Sequence, residues 1–125
     1  MLNSSLHRHS NNKGDGKMME QALNLTTNIR AIENIKSEIL QEIAKLYVQL
    51  ADFEDTNIYE NVSGSIATIV AMDYILARRI GLDLRSIDEK IVELAGMAAE
   101  NGHELEDAFC DMSELKRHIG LRVRR

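Results

Sequence analysis

Glu38 and Glu42 are two candidate ligands for a divalent cation in this sequence. Residues four apart share one face of an α-helix, so the two carboxylates could bind the same ion. Mg²⁺ prefers such hard oxygen ligands. A solvated acidic helix face is the alternative interpretation. An affinity for Mg²⁺ or Mn²⁺ that falls on Glu42→Gln would distinguish the two.

Lys36 and Asp73 are charged residues that interrupt apolar helical stripes, and Asp73 stands between Ile69 and Leu76. Burial of an unpaired charge is strongly unfavourable. The sequence therefore predicts an ion pair between Lys36 and Asp73, within the chain or across a dimer. The pair could be purely structural, or Lys36 could meet a phosphate in the same cleft.

Arg78 and Arg79 close the second apolar stripe, and Arg85 follows shortly after. Basic side chains at a helix C-terminus complement the helix dipole. The functional alternative is that these arginine side chains bind a phosphate group. Together with Lys36 and Asp73, the first two arginines form the predicted substrate-binding set.

Histidine and cysteine residues give little support for a metal site. The spacing of His103, Cys110 and His118 matches no zinc motif. His7 and His9 could ligate a metal, but they lie in a polar, aperiodic stretch. A solvated tail is the favoured interpretation of that stretch.

Helices must position these residues, because the composition suits no other element. The 125 residues include no proline, and only 4% are aromatic. This composition is poor for β-sandwiches and barrels and favours an all-α fold. The predicted division is a disordered tail over residues 1–20, a helical domain over 21–120 and a basic tail over 121–125.

Apolar residues at helical spacing predict two long helices and two shorter ones. Thr26 or Thr27 would cap the first, and Asn57 with Glu60 would cap the second. The predicted spans are Thr27 to Asp52, Ile58 to Ile80 with Gly81 as its stop, a third helix from a capping box at Ser86 to Asn101, and a fourth from Asp111 to Gly120.

A short loop between the first two helices forces them into an antiparallel hairpin. Residues whose numbers add to about 109 then lie level across the hairpin. This places Gln41 beside Thr68 and Lys36 beside Asp73. The second helix is apolar on more than one side, including Val70, so a homodimer or larger assembly is expected.

Charge and hydropathy disfavour two classes of partner. The formal net charge is −5 with 15 basic and 20 acidic residues, whereas nucleic-acid binding needs a basic footprint. The basic terminal stretch LRVRR leaves helix-turn-helix DNA binding as a remote alternative. The apolar run Val62 to Ala77 is shorter than a membrane span and contains Asp73. The single cysteine, Cys110, favours a reducing compartment and predicts a cytoplasmic location.

Three stretches together resemble the MazG-like family, a branch of the all-α nucleoside triphosphate pyrophosphohydrolases. They are NIRAIENIKSEIL (28–40), LARRIGLDL (76–84) and GHELEDAFCDMSEL (102–115). The resemblance implies an all-α helical bundle, built on a long antiparallel hairpin, that forms dimers or tetramers. It also implies Mg²⁺ as cofactor and a nucleoside triphosphate as substrate. In active relatives, EExxE and ExxD motifs on successive helices bind the cation and the triphosphate, and water attack releases pyrophosphate.

This sequence departs from that pattern at most ligand positions. The ExxD positions fall on Ser65 and Thr68, and the EExxE segment aligns on Ser37, Glu38 and Gln41. Hydroxyls and an amide are weak substitutes for anionic ligands. We therefore expect a degenerate metal site and weak hydrolysis at most. The alternative is a non-catalytic oligomeric interaction or regulatory module.

Overall fold

The computed structural model describes residues 2–124, with side chains described from residue 14 onward. Within this range the chain is all-α and contains no β-strand, as the sequence predicts. The helices are α1 (Leu2–Ala51), α2 (Ile58–Arg79), α3 (Leu84–Glu100), α4 (Glu104–Phe109) and α5 (Asp111–Val123).

The helices form two packed pairs. α1 packs antiparallel along α2, which confirms the predicted hairpin, and α3 packs along α5. α2 and α3 meet over a shorter stretch, and the single-turn α4 contacts both α3 and α5. In the described part of the chain, α1 contacts no helix other than α2.

Two side-chain hydrogen bonds fix the register of the hairpin. The Asn28 amide donates to the carbonyl oxygen of Arg79 at 3.1 Å, near the open end. The Ser65 hydroxyl donates to the side-chain oxygen of Gln49 at 2.9 Å, near the loop. The Asn28–Arg79 pair lies two residues from the level pairing that the loop length predicts, and the Gln49–Ser65 pair lies five residues from it.

Glycines terminate α2 and α3 where the sequence predicts. Gly81 has φ +93° and Gly102 has φ +70°, which is left-handed backbone. After α2, the Leu82 amide donates to the Ala77 carbonyl at 2.8 Å and the Gly81 amide to Arg78 at 3.1 Å. These two hydrogen bonds form a Schellman motif, which satisfies the last carbonyl groups of the helix.

Helix starts are predicted less well than helix ends. α1 extends N-terminally past Thr26, whose hydroxyl donates to the Ala22 carbonyl at 2.8 Å inside the helix. The threonine cap predicted for α1 is therefore wrong. The capping box predicted for α3 is also wrong, because α3 begins at Leu84 and the Ser86 hydroxyl donates to the Asp83 carbonyl. Hydroxyl bonds to a carbonyl in the preceding turn are compatible with helix, so these residues do not mark boundaries.

α5 continues past Gly120 to Val123, so the predicted end at Gly120 is wrong. The Arg85 guanidinium donates to the Val123 carbonyl at 3.0 Å and satisfies an acceptor at the end of α5. Residues 2–20 also have helical backbone, as part of α1. The tail–domain–tail division of the chain stays a prediction.

Among the side chains that the structure describes, few apolar ones are buried. The buried apolar residues are Ile35, Ala77, Ala95 and Ile119. The accessible surface is 10311 Å², whereas a compact monomer of 14.1 kDa exposes about 6,700 Å². On α1 and α2, large apolar side chains such as Leu40, Tyr47, Ile66 and Val70 are left exposed by this chain alone.

Candidate functional site

A polar cleft of about 450 Å³ lies between α1 and α2. Three α1 residues (Glu42, Lys45, Gln49) face α2 across it, at spacings that keep them on one helix face. The α2 side is lined by Glu60, Asn61, Gly64, Ser65 and Thr68. The hairpin register brings these two rows together.

Two carboxylates and one ammonium group dominate the charge of this cleft. Glu42 is largely buried, with 20% of its side chain exposed, and its Oε1 lies 3.8 Å from Lys45 Nζ. Glu60 comes from the first turn of α2 on the opposite wall. Anionic and cationic groups therefore share one polar cavity.

The neutral residues that occupy the ExxD and EExxE positions are engaged in hydrogen bonds within the protein. Ser65 is 2% exposed and donates to Gln49. The Thr68 hydroxyl donates to the Gly64 carbonyl at 2.8 Å. The Gln41 amide donates to the Ser37 hydroxyl at 3.2 Å on the exposed side of α1. These contacts are structural.

The structure places the two predicted metal ligands, Glu38 and Glu42, in different surroundings. Glu42 lines the cleft, whereas Glu38 is exposed and is not among the cleft residues. A role for either carboxylate in metal binding stays a prediction, and Glu42 shares the cleft with Glu60 rather than with Glu38.

Lys36 and Asp73 do not form the predicted ion pair within the chain. Lys36 Nζ lies 2.9 Å from Glu33 Oε1, one turn earlier on α1, and both side chains are more than half exposed. Asp73 is also exposed. The prediction assumed burial, but the apolar stripe of α1 turns Lys36 outward at its edge, where water and Glu33 solvate the charge. A pair across a dimer stays untested.

Arg78 and Arg79 are exposed at the C-terminus of α2. Both backbone carbonyls accept hydrogen bonds, from Gly81 and from the Asn28 side chain respectively. Their position matches the helix-dipole interpretation. Phosphate binding by these side chains stays a prediction.

A second cavity, of about 550 Å³, lies where α2, α3 and α5 meet. It is mainly apolar, with Asp73, Tyr74, His118 and Arg122 contributing polar groups. Beside it, the Tyr74 hydroxyl donates to buried Asp88, and Arg122 Nη1 lies 3.5 Å from the same hydroxyl. Burial and the bond to Asp88 raise the pKa of Tyr74, and Arg122 opposes that shift.

The described residues contain no group of three or more histidine, cysteine or carboxylate side chains placed to hold a metal. His103 instead caps α4, because its Nδ1 accepts from the Leu105 amide at 3.1 Å. Cys110 is exposed, with φ 59°, at the joint between α4 and α5. The side chains of His7 and His9 lie outside the described residues.

Lys45, Gln49, Glu60 and Asn61 line the cleft, but the sequence analysis named none of them as a binding residue and singled out Glu60 only as part of a helix cap. The level pairing across the hairpin could have identified them, because it sets Gln49 opposite Glu60. The ExxD motif instead aligns on Ser65 and Thr68, which lie about one and two turns further along α2 than Glu60.

The sequence model of the MazG-like family matches residues 25–112, more than half of the chain. The chain belongs to the MazG-like family. The match confirms the resemblance and the all-α class. No curated protein matches at a significant level, and the same holds for the solved structures.

The MazG-like match includes the α1–α2 cleft and the α3–α4 region and begins within α1, at residue 25. The described helices include none with both the length and the hydropathy of a membrane span. The cleft between the hairpin helices lies within the matched residues and is therefore the candidate functional site.

Proposed function

We propose that this MazG-like protein binds a nucleoside triphosphate with Mg²⁺ in the α1–α2 cleft and hydrolyses it slowly at most. The observation that carries the proposal is the meeting of Glu42, Glu60 and Lys45 in one polar cavity. A triphosphate is polyanionic, so its binding needs a cation or a basic group. Lys45 supplies one such group.

The donor set of the cleft fits a Mg²⁺ that also binds substrate. Proteins commonly hold Mg²⁺ through one or two carboxylates, and waters and phosphate oxygens complete the octahedron. Glu42 and Glu60 supply those carboxylates, and Asn61 supplies an amide oxygen nearby. Bound there, Mg²⁺ would neutralise charge on the phosphate oxygens. The protein ligands are too few for a cation held by the chain alone.

Slow hydrolysis follows from the residues that replace the family's acidic ligands. Ser65 and Thr68 are neutral, and each hydroxyl already donates a hydrogen bond within the hairpin. Neither side chain can act as an anionic ligand or as a general base at neutral pH. Attack by water would therefore proceed without the carboxylates that active relatives use.

Calorimetric titration of the full chain with a panel of nucleoside triphosphates, with and without Mg²⁺, tests the binding step. We expect Mg²⁺-dependent affinity that falls at least tenfold in Glu42→Gln and in Glu60→Gln. Glu38→Gln is the matched control, because this exposed glutamate lies outside the cleft, and its affinity should equal that of the wild type. Loss of affinity in the control alone, or no binding by the wild type, would refute nucleotide binding at this site.

Product analysis tests the catalytic step separately. With excess nucleotide and Mg²⁺ or Mn²⁺, we expect little or no monophosphate and pyrophosphate within the time that binding takes to equilibrate. Rapid, stoichiometric release of pyrophosphate would contradict the slow-hydrolysis part of the proposal and leave the binding part standing.

The alternative function is a non-catalytic oligomeric interaction module, and exposed apolar residues favour it. On α2, Ile66 and Val70 are each 48% exposed, and Leu40 and Tyr47 on α1 are each 69% exposed. We propose that these surfaces pair two copies of the hairpin. A stable assembly that binds no nucleotide would favour this module over the nucleotide site.

Light scattering during size-exclusion chromatography tests the assembly. We expect a molar mass of at least twice 14.1 kDa. Ile66→Glu should lower it, because a charge would be buried at the interface. Thr56→Glu, in the α1–α2 loop, adds the same charge outside both helices and should leave the mass unchanged. A wild-type monomer would refute the proposal.

A further inference from the structure

The cavity of about 550 Å³ where α2, α3 and α5 meet is separate from the α1–α2 cleft. α2 forms a wall of both. Its residues that line the cavity are Val70, Asp73 and Tyr74. On a helix, these residues lie about 160° around the axis from those that line the cleft. A ligand of the cavity would therefore occupy a site distinct from the proposed nucleotide site.

The cavity exists because α2 and α5 do not pack against each other. In the described part of the chain, no Cα atom of α2 lies within 8 Å of a Cα atom of α5. Arg122 Nη1 spans this gap and donates to the Tyr74 hydroxyl at 3.5 Å. Cavities of about 300–1,000 Å³ are the size that holds small-molecule ligands in proteins, so the gap is large enough for one.

Polar groups lie together at one end of the cavity. The Tyr74 hydroxyl donates to Asp88, and Arg122 reaches the same hydroxyl, so α2, α3 and α5 are level at this point. Asp73 directly precedes Tyr74 and also lines the cavity. None of the ion pairs among the described residues includes Asp73 or Arg122. A carboxylate and a guanidinium group therefore lie at this end without a direct ion pair between them.

The other end of the cavity is mainly apolar. Ile91 lies about one turn along α3 from Asp88, and Leu115 lies about two turns along α5 from Arg122. Both residues lie on the same side of the polar end, because α3 and α5 run in opposite directions. His118 is a polar residue in this part of the lining. The apolar lining residues are Val70, Ile87, Ile91, Leu115 and Ile119.

We propose that this cavity binds a small zwitterion with an apolar body, which is the chemistry of an apolar amino acid. The carboxylate of the ligand pairs with Arg122, and its ammonium group pairs with Asp73. Its side chain packs on the apolar lining. Hydrogen bonds between charged groups are stronger than those between neutral groups, and a guanidinium can bind a carboxylate through two N–H donors. Asp73 would repel a simple anion and Arg122 a simple cation, so the two charges select a ligand that carries both.

L-tryptophan is the probe for this site, because the chain itself contains no tryptophan. With excitation beyond the absorption of tyrosine, the fluorescence reports the ligand alone, and its anisotropy rises when the ligand binds the full chain. Tryptamine lacks the carboxylate, and indole-3-propionate lacks the ammonium group. We expect each analogue to bind about tenfold more weakly than L-tryptophan, since each loses one charge-assisted hydrogen bond.

Two substitutions assign the charged contacts. Arg122→Gln should lower the affinity for L-tryptophan about tenfold and should not lower that for tryptamine. Asp73→Asn should lower the affinity for L-tryptophan to the same extent and should not lower that for indole-3-propionate. Arg124→Gln is the matched control, because Arg124 lies on α5 outside the cavity. Its affinity for each compound should equal that of the wild type.

Equal affinity of the wild type for the three indole compounds would overturn the proposal, because the two charges would then not select the ligand. No rise in anisotropy with the wild type would also overturn it, as expected if a second copy of the chain covers the cavity. Equal loss of affinity in Arg122→Gln and Arg124→Gln would do the same. Arg122→Gln should keep the nucleotide affinity of the wild type, so these results do not bear on the α1–α2 cleft.

Discussion

Asp88 is a buried carboxylate, 6% exposed, on α3. It accepts a hydrogen bond from Tyr74 on α2, and Arg122 on α5 approaches the same tyrosine hydroxyl. A buried carboxylate is stable only when it is hydrogen-bonded or paired. This polar network therefore links three helices at the joint between the two helical pairs.

Removal of the Tyr74 hydroxyl should destabilise the fold. In Tyr74→Phe, Asp88 loses its donor while it stays buried, and we expect the free energy of unfolding to fall by about 1–3 kcal/mol. Urea unfolding followed by circular dichroism measures the change. Tyr59→Phe removes the same atom from a side chain that is 87% exposed and should change little. Equal midpoints for the two variants would contradict a role for the network.

Glu106 and Ser113 connect α4 to α5 through a pH-sensitive contact. The Ser113 amide donates to Glu106 Oε2 at 2.9 Å, and its hydroxyl donates to the other carboxylate oxygen. These bonds favour the ionised form and lower the pKa of Glu106 below the ordinary value of 4.5. A lowered pKa in the folded state stabilises the protein above the unfolded-state value.

The stabilisation should disappear as the pH falls from 4.5 through the lowered pKa of Glu106. Ser113→Ala removes the hydroxyl bond. We expect it to melt below the wild type at neutral pH and to approach the wild type in that acidic range. Thermal melts across pH measure the difference. A difference in Tm between Ser113→Ala and the wild type that grew on acidification would contradict this role of the contact.

At the scale of the element, the ends of helices are set by single residues with special backbone geometry. Gly81 adopts φ +93° and allows two amides to satisfy the final carbonyls of α2. Glycine reaches this region without strain, whereas a residue with a Cβ does not. Gly120 lies inside α5, where the helix continues around it.

Alanine should therefore have opposite effects at these two glycines. Gly81→Ala should lower the free energy of unfolding by about 1–2 kcal/mol, because alanine is strained in left-handed backbone. Gly120→Ala should raise it by up to about 1 kcal/mol, since alanine favours helix and an added Cβ meets no atom within 4 Å. Chemical denaturation compares them. Destabilisation of equal size in both variants would contradict the assignment.

Helix starts are harder to predict than these ends. Thr26 and Ser86 are typical capping residues, yet each hydroxyl donates to a backbone carbonyl of the preceding residues. A hydroxyl can cap a helix or bond back to a preceding carbonyl, and the neighbouring packing selects between the two. The left-handed geometry at Gly81 leaves no such choice.

At the scale of the whole molecule, the large accessible area and the small buried core predict that assembly supports stability. A ligand or second copy that binds only the folded state raises the apparent stability by mass action. We therefore expect Tm to rise with protein concentration. Calorimetric scans over a wide concentration range measure it. A Tm independent of concentration, in a chain that scattering shows to be monomeric, would contradict assembly.

The sequence by itself determined the all-α class, the long hairpin, the glycine stops of α2 and α3 and the membership of the MazG-like family. These depend on local information: helical periodicity, loop length and the backbone freedom of glycine. The level pairing across the hairpin followed from the loop, and it set Asn28 within two residues of its hydrogen-bond partner Arg79.

Only the tertiary structure decided which side chains share the cleft. Periodicity gives the angle of a residue about its own helix, but the rotation of that helix against its neighbour depends on packing along its whole length. That rotation put Glu42 and Glu60 in the cleft, left Glu38 and Lys36 in solvent and buried Asp88 beside Tyr74. The set of side chains that lines this cleft is therefore determined by how the helices pack.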